Sequence, residues 1–585
     1  MSRGNYGKPA FGRLAGDALW LLAAALLIYA VYAAFRPLRG VGVTLPVSLR
    51  PLPLYALFSF LRMLAAYALA LVFSMAYGYS AAMNRGAGRV LLPLLDVLQS
   101  IPVLGFFPAA VYFFVAAFRG SRLGVEAASV FLIFTSQVWN MTFGVYESLT
   151  TIPDDLLLVS RAYGLTGRLG FRSLVFPACV TKLVYNSMLS WAGGWYFLIA
   201  CEIIALGPVS VSLPGLGSYL IKAAESGDFA LLVAGLATLV SVIWLMDYAV
   251  WRPLGVVAER YKYEYGGGSP SGRAALRGFR GWTRRPLNVV VRLAAVLAGA
   301  VLSRVVAIAG AVSGGVARAI GGVRPGGTPG GVRRPAGTAA RWGLAVAGIA
   351  LAAGMGWVLW SVLRPPWPPE ARLIPAALIA SALRLGAAYV LSLLWTLPAA
   401  VYIGRNERAY ERLMPVFQVA ASVPATALFP FIILLIVRTT GSMSVASVVL
   451  VLTGMQWYLL FNLVGAVRAI PADLLSVARA YGIRGRLYAS TVLIPALIPS
   501  LVTGSITAWG GGWNALIVSE YVVYAGKTFE AFGIGALLDR ATYSTGDFKT
   551  IWLSLVAMVV AVVASNRLFW RPLYDYAARR YRIEY

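Results

Sequence analysis

The stretch VARAYGIRGRL, Val477 to Leu487, has a near copy in VSRAYGLTGRL, Val159 to Leu169, 318 residues earlier. Between Ile152 and Gly164, ten of thirteen residues recur from Ile470 to Gly482 at that fixed offset. The register then continues without a gap. Pro177 falls on Pro495, Trp191-Ala-Gly-Gly-Trp195 on Trp509-Gly-Gly-Gly-Trp513, Glu202 on Glu520 and Gly215-Leu-Gly217 on Gly533-Ile-Gly535. Upstream the offset becomes 322, which pairs Arg62 with Arg384, Ser100-Ile-Pro102 with Ser422-Val-Pro424, and Phe107-Pro108 with Phe429-Pro430. Downstream, Trp251-Arg-Pro-Leu254 matches Trp570-Arg-Pro-Leu573. Self-similarity on this scale means a duplicated unit, here residues 1–265 and 341–585 joined by a linker over 266–340.

Composition says what the unit is. Hydrophobic residues make up 59% of 585 residues and charged residues 12%, too apolar for a soluble chain of this length. Ala18–Phe35, Ala127–Tyr146, Phe229–Met246 and Trp342–Leu363 hold no charge, and a bilayer needs about 20 mostly apolar residues per crossing. The chain is therefore expected to be an all-α polytopic membrane protein. Six spans fit each half: 15–35, 53–82, 90–118, 124–147, 175–205 and 229–251, then 342–363, 373–402, 412–438, 442–466, 493–524 and 549–568. An even number per half gives a parallel repeat of about twelve transmembrane helices and returns the chain to its starting side. The polar, basic Met1–Arg13, with no small-residue cleavage site after the first apolar run, does not read as a cleavable leader.

The net charge of +28 does not point to nucleic acid. Twelve arginines and no acid lie between Gly266 and Trp342. Basic loops stay on the cytoplasmic side, so both termini and the linker are placed there, in the cell membrane. Anionic lipid headgroups are an expected partner. Arg36, Arg39, Arg50, Arg119 and Arg122 break the rule, outweighed by the linker and by Arg579, Arg580 and Arg582. Within the linker, apolar 286–321 suits a helix lying in the interface or an extra hairpin of spans. The absence of histidine excludes a His-ligated metal and a His-based catalytic triad. Cys179 and Cys201 lack metal-ligand spacing, and buried free thiols are expected.

In IPADLLSVARAYGIRGRL, acid in the first turn and Arg479 in the last suit the helix dipole. Gly482 offers the left-handed residue that ends the helix, and a second short helix runs toward Pro495. One such unit is an ordinary connector. Two in register present equivalent knobs to a two-fold partner.

These residues resemble the inner-membrane permeases of binding-protein-dependent ABC importers, whose cytoplasmic loop carries EAA, three residues, Gly, nine residues, I-x-L-P. Gly164 with nine residues to Leu174-Val-Phe-Pro177, and Gly482 with nine to Val492-Leu-Ile-Pro495, keep the spacing. At the front the chain departs from it: Leu158 and Ser476 stand at the glutamate position. Arg62 and Arg384, the SIP and SVP turns, the Phe-Pro after each and the Trp-rich fifth span resemble the nitrate, sulfonate, taurine and bicarbonate branch, in a duplicated single-chain form. The resemblance covers both halves. It implies an ATP-driven importer of a small solute, an anion in that branch. Its coupling helices dock two separate ATPase subunits, which hold ATP and Mg, and an extracytoplasmic substrate-binding protein delivers the solute. No cofactor and no enzyme activity are expected in this chain. The coupling residues so implied are Asp155, Leu156, Arg161, Tyr163, Gly164 and Arg168, with Asp473, Leu474, Arg479, Tyr481, Gly482 and Arg486.

A P-loop is missing: Gly526-Lys527-Thr528 tempts, but Tyr521 stands where the first glycine belongs. A twelve-helix secondary transporter shares the basic central loop and parallel halves, but does not explain the doubled Gly-turn segment. Candidate pathway residues are Trp195, Trp513 and Asn514 on the fifth spans and Gln137, Asn140 and Gln456 on the fourth. The adjoining Gly193, Gly194, Gly511 and Gly512 either line that pathway or let helices approach. Intramembrane acids need partners, and equal depth pairs Arg62 with Glu202 and Arg384 with Glu520.

Overall fold

The computed structural model describes residues 47–259 and 364–580, apart from 84, 101–102, 104–106, 119–120, 166, 207–208, 471, 525–526 and 546, together with positions 356 and 360. The expected span 15–35, all of 342–363 but positions 356 and 360, the linker 266–340 with its segment 286–321, and both termini lie outside the described residues.

The first half runs through α1 (Leu52–Met83), α2 (Arg85–Ser100), α3 (Phe107–Ala117), α4 (Arg122–Thr150), α5 (Asp154–Ala162), α6 (Gly167–Gly170) and α7 (Phe176–Cys201). A hairpin of β1 (Ile203–Leu206) and β2 (Val209–Ser212) follows, then α8 (Leu216–Ser226), α9 (Phe229–Met246) and α10 (Arg252–Glu259). The second half repeats the order as α11 (Ile374–Arg405), α12 (Glu407–Ser422), α13 (Ala425–Thr440), α14 (Met443–Arg468), α15 (Ala472–Ala480), α16 (Gly485–Tyr488), α17 (Ile494–Ser519), β3 (Tyr521–Tyr524), β4 (Lys527–Glu530), α18 (Ile534–Arg540), α19 (Phe548–Ser565) and α20 (Arg571–Arg580). Seven helices among the described residues are long and apolar enough to cross a membrane. Helices suit that medium because all their backbone bonds are internal.

Two expectations need correction. The third spans, 90–118 and 412–438, are not single rods. In the second half α12 and α13 meet at 84°, because Val423 before Pro424 is driven out of the helical region to φ −74°, ψ 121°. In the first half the described helices end at Ser100 and resume at Phe107. The fifth spans, 175–205 and 493–524, stop earlier, at Cys201 and Ser519. The chain then turns back as antiparallel hairpins, pairing Ile203 with Ser212 and Tyr521 with Glu530. Apolar β-branched residues in Ile-Ile-Ala-Leu and Tyr-Val-Val-Tyr suit a strand as well as a helix. Lys527 and Thr528, the near P-loop, sit in β4.

The long helices pack closely where side chains are small. A Cβ on Gly78 of α1 would lie 2.8 Å from Val145 Cγ1 of α4, and one on Gly504 of α17 would lie 3.0 Å from Asn462 Cβ of α14. One buried core contains Met63, Trp191 and Trp195 of the first half with Leu385, Met455 and Trp513 of the second. The capping asparts recur too: Asp228 accepts from the Ala230 and Leu231 amides ahead of α9, and Asp547 from Lys549 ahead of α19.

At the hairpin end of each half sits a buried carboxylate. Glu202 accepts from Arg62 Nη1 at 2.7 Å, Ser59 Oγ at 2.6 Å and the Gly217 amide at 2.7 Å. Glu520 accepts from Arg384 Nη1 at 2.5 Å, Ser381 Oγ at 2.6 Å and the Gly535 amide at 2.8 Å. The arginines also donate to Pro214 O and Phe532 O, and the serines receive the Leu216 and Ile534 amides. Gly215 and Gly533 are required for space: a Cβ on either would lie 2.2 Å from the carboxylate oxygens. Each node ties the start of the first long helix to the end of the fifth span and to α8 or α18.

The nodes differ in one partner. Arg62 also donates from Nε and Nη2 to both Glu126 oxygens, at 2.6 and 2.8 Å. The repeat puts Ser444 at that position. Glu202→Ala therefore leaves Arg62 facing a carboxylate, whereas Glu520→Ala removes the one carboxylate shown on Arg384. Unpairing a buried charge costs about 3–5 kcal/mol. Glu520→Ala is expected to lower the thermal unfolding midpoint of the purified chain more than Glu202→Ala; equal losses would mean that Glu126 does not hold Arg62.

Candidate functional site

Two places carry more than packing: a cavity between the halves and the pair of loops at the opposite end from the nodes.

The cavity holds about 640 Å³. It is lined from α4 and α7 by Ser136, Asn140, Trp191, Gly193 and Trp195, and from α14 and α17 by Gly454, Tyr458, Trp509, Gly511 and Trp513. Ser136 lies near the middle of α4, about 15 Å at 1.5 Å per residue from Glu126. The cavity therefore sits midway along the bundle. Repeat mates face each other with their chemistry exchanged: Asn140 corresponds to Tyr458, and Tyr196 to Asn514. Asn514 also joins the halves, its Oδ1 accepting from the Val103 amide at 2.9 Å. On the other side Thr426 Oγ1 donates to Tyr196 O at 3.3 Å. Asp247 is the one charged residue among the lining residues described, and it accepts from Arg252 Nε at 2.9 Å.

Of the candidate pathway residues, Asn140, Trp195, Trp513 and Asn514 line this cavity. Gln137 and Gln456 are not among its lining residues. Gln137 is fully buried and its Nε2 turns to Met63 Sδ at 3.8 Å, packing α4 on α1 and α7. Ser136 and Asn140, four apart, share the helix face that lines the cavity, and Asn140 is the α4 amide there. The glycines divide by position. A Cβ on Gly194 would meet Gln137 Nε2 at 2.4 Å, one on Gly512 Leu385 Cδ1 at 2.4 Å, and one on Gly511 Tyr458 Cε2 at 2.8 Å. Gly193 and Gly510 have nothing within 4 Å.

The loops are α5 with α6, and α15 with α16. Gly164 and Gly482 have φ of +63° and +66°, the left-handed region that favours glycine. Leu165 N–H bonds to Ser160 O and Ile483 N–H to Ala478 O, both at 2.9 Å, a six-to-one closure of the helix end. Leu157 and Leu475 pack inward on the cores of their halves. The other face stays open. Val159, Tyr163 and Leu169 are 50%, 79% and 56% exposed; Val477, Tyr481 and Leu487 are 52%, 80% and 56% exposed. Leu158 is exposed where the repeat has an exposed Ser476. Asp155, Arg479 and Arg486 are exposed, Leu156 is half-buried, and Leu474 is 37% exposed. For Arg161, Arg168 and Asp473 only the backbone is described. Cys179 and Cys201 are both buried and free.

Ser59, Ser381, Glu126 and the carboxylate-seating glycines Gly215 and Gly533 were not singled out from sequence as partners of the node. The signal was present: Glu202 and Glu520 each precede a Gly-x-Gly by the same thirteen residues.

Position along α7 separates two effects of glycine. Gly193→Ala is expected to hold or raise the unfolding midpoint, since alanine gains up to about 1 kcal/mol in a helix interior. Gly194→Val should lower it by the overpacking cost of about 1–3 kcal/mol. Equal midpoints in thermal unfolding would contradict the close approach at Gly194.

A family model for the binding-protein-dependent transport system inner membrane component matches the chain twice, over residues 70–250 and 392–583. The nitrate import permease protein NrtB of Leptolyngbya laminosa is 26% identical over 32% of this chain and 64% of its own length. The bicarbonate transport system permease protein CmpB of Synechococcus elongatus is 28% identical over 33% of this chain and 65% of its own. The putative aliphatic sulfonates transport permease protein SsuC of Escherichia coli is 30% identical over 28% and 62%. The chain spans just under two thirds of the length of these relatives. The two matches together take in well over half of the chain, and their register agrees with its internal repeat. The chain belongs to the family of binding-protein-dependent transport system inner membrane components and carries the permease unit twice.

Proposed function

We propose that this chain is the complete pair of transmembrane subunits of one ATP-driven importer, fused head to tail over 1–265 and 341–585. The observation that carries this is the pair of Gly-turn loops, whose apolar outer faces are exposed to the same degree position by position. Two equal docking faces on one chain suit two equal partners. α5 and α15 act as coupling helices: Tyr163, Val159 and Leu169, with Tyr481, Val477 and Leu487, enter a groove on each ATPase, and the glycine turns fix their angle. ATP and Mg belong to those partners. Leu158 and Ser476 at the glutamate position make the contact apolar and polar rather than ionic.

The cavity between α7 and α17 is the solute pathway, halfway across the bundle. The hairpin end, opposite the coupling loops, faces the extracytoplasmic substrate-binding protein. The termini and the arginine-rich linker then lie on the cytoplasmic side, where basic segments are retained and anionic lipid is close. The named activities of the relatives support a small anion as cargo.

The test is capture of the full-length chain from its native membranes with identification of what comes with it. An ATPase recovered at about two copies per chain is expected. Its loss is expected in the Gly164→Val, Gly482→Val double variant, because a side chain in left-handed backbone costs about 1–2 kcal/mol and turns the loop away. Tyr163→Ala with Tyr481→Ala should also lose the ATPase while leaving thermal unfolding unchanged, since both rings are exposed. Solute uptake by reconstituted chain on an ion gradient alone, without any ATPase, would replace this function with that of a secondary transporter.

A further inference from the structure

Between Arg384 and Arg405, α11 carries twenty residues without a charge. At 1.5 Å per residue they span about 30 Å, the thickness of a bilayer's hydrocarbon core. Arg384 belongs to the node at one end, so Arg405 falls at headgroup level at the other. Over the last three turns Leu394, Pro398, Tyr402 and Arg405 recur at helical spacing and are all exposed. The last three line a shallow groove with Leu397, Val401 and Asn406. Pro398 lies inside the helix, where its ring disturbs the preceding turn.

Arg405 is held in place without being neutralised. Its guanidinium lies over the Tyr488 ring, 4.4 Å from the centroid, and no carboxylate pairs with it among the described residues. Arg468 shows the contrast: it lies 3.8 Å over Tyr410 and also donates to Glu407 at 2.8 Å. A guanidinium stacked on a ring keeps its N–H edge free for an oxyanion. Asn406 beside it accepts from the Ala409 amide at 3.2 Å, which leaves its Nδ2 as a further donor at the rim.

The first half has none of the three parts. At the repeat offsets Pro398 corresponds to Ala76, Arg405 to Met83 and Tyr488 to Gly170, while Asn406 keeps its mate Asn84. Complementing the carboxyl end of α11 would account for an arginine at 405, but not for the proline below it or the ring behind it. A soluble anion would meet this cation in water and leave the apolar floor bare. A zwitterionic headgroup would bring an ammonium toward Arg405 and the exposed Arg408 and Arg412. A lipid with net negative charge suits both ends of the groove, since a phosphate takes parallel hydrogen bonds from a guanidinium and an acyl chain covers the floor.

We propose that this groove binds an anionic phospholipid, in the second half alone and in the leaflet on the side of the Gly-turn loops. Its phosphate sits on Arg405 and Asn406, and its acyl chain lies along Tyr402, Pro398 and Leu394. The site requires only that the chain spans a membrane; it is independent of ATPase docking and of the solute carried.

The test places the full-length chain in phosphatidylcholine nanodiscs doped with a phosphatidylglycerol that bears a photoactivatable diazirine on its acyl chain. After irradiation the labelled peptides are mapped. Residues 394–406 are expected to carry about fivefold more label than their repeat mates 72–84, the discrimination one arginine gives near a membrane surface. Arg405→Gln should bring the two to parity, and Arg412→Gln should leave the difference in place. The comparison of the two halves needs no variant and stands if Arg405→Gln fails to fold. Equal labelling of both halves, or none on 394–406 because another segment covers that face, would overturn the proposal. So would a diazirine phosphatidylcholine that labels as strongly, a folded Arg405→Gln chain that labels as before, or an equal loss from Arg412→Gln, which would mean a diffuse basic surface. Displacement of the lipid by millimolar inorganic phosphate would replace it with a site for a free anion.

Discussion

Everything at one end of the molecule depends on a buried carboxylate that is fully used. Glu202 and Glu520 are completely buried, each receiving a guanidinium, a serine hydroxyl and a glycine amide. Insertion of a lone acid into a membrane costs about 2.5–3.5 kcal/mol, so such groups persist only with partners. Here the partners come from three separate elements: Ser59 and Arg62 on α1, and the Gly217 amide on α8, all closing on the C-terminal end of α7. Extended backbone at Gly215, with no side chain, lets the carboxylate approach. The hairpin and the short helix after it are thereby fixed to the bundle without a large apolar core of their own.

From that anchor the remaining features fall at separate levels along the same helices. The nodes occupy one end of α4 and α7, the aromatic cavity their middle, and the Gly-turn loops their other end. Because α7 begins at a loop, passes the cavity and ends at Glu202, any displacement of the loop acts on a rod held at its far end. On the importer function proposed above, this continuity is the mechanical link between ATPase and pathway. In the second half the break at Val423–Pro424 divides the third span, so α12 and α13 meet at a sharp angle.

The two copies have not stayed equal. Glu126 gives Arg62 a second carboxylate where the other half has Ser444. Glu147 pairs with Lys182 at 2.6 Å, and Gly465 and Ser500 replace both residues. In the cavity, the exchange of Asn140 and Tyr196 for Tyr458 and Asn514 keeps the inventory constant and changes its placement. Fusion permits such divergence, because each copy always meets the other and never itself.

The sequence by itself determined the duplication, the membrane class, the number of equivalent loops and the glycine turns within them. These are local or periodic properties: apolar runs, a fixed offset, and a residue type that alone adopts positive φ comfortably. Depth along the spans was enough to bring Arg62 toward Glu202 and Arg384 toward Glu520, because position along a helix is linear in residue number. Rotation about the helix was not readable in the same way. Which face of α4 turns to its neighbours depends on how three helices pack, so Gln137 and Asn140, one turn apart, went to a buried contact and to the cavity. Glu126, Ser59 and the seats at Gly215 and Gly533 needed the tertiary structure for the same reason: they are distant in sequence and meet only where α1, α4, α7 and α8 converge. The hairpins needed it too, since four apolar residues after a long helix read as more helix until the carboxylate at its end fixes the chain's return.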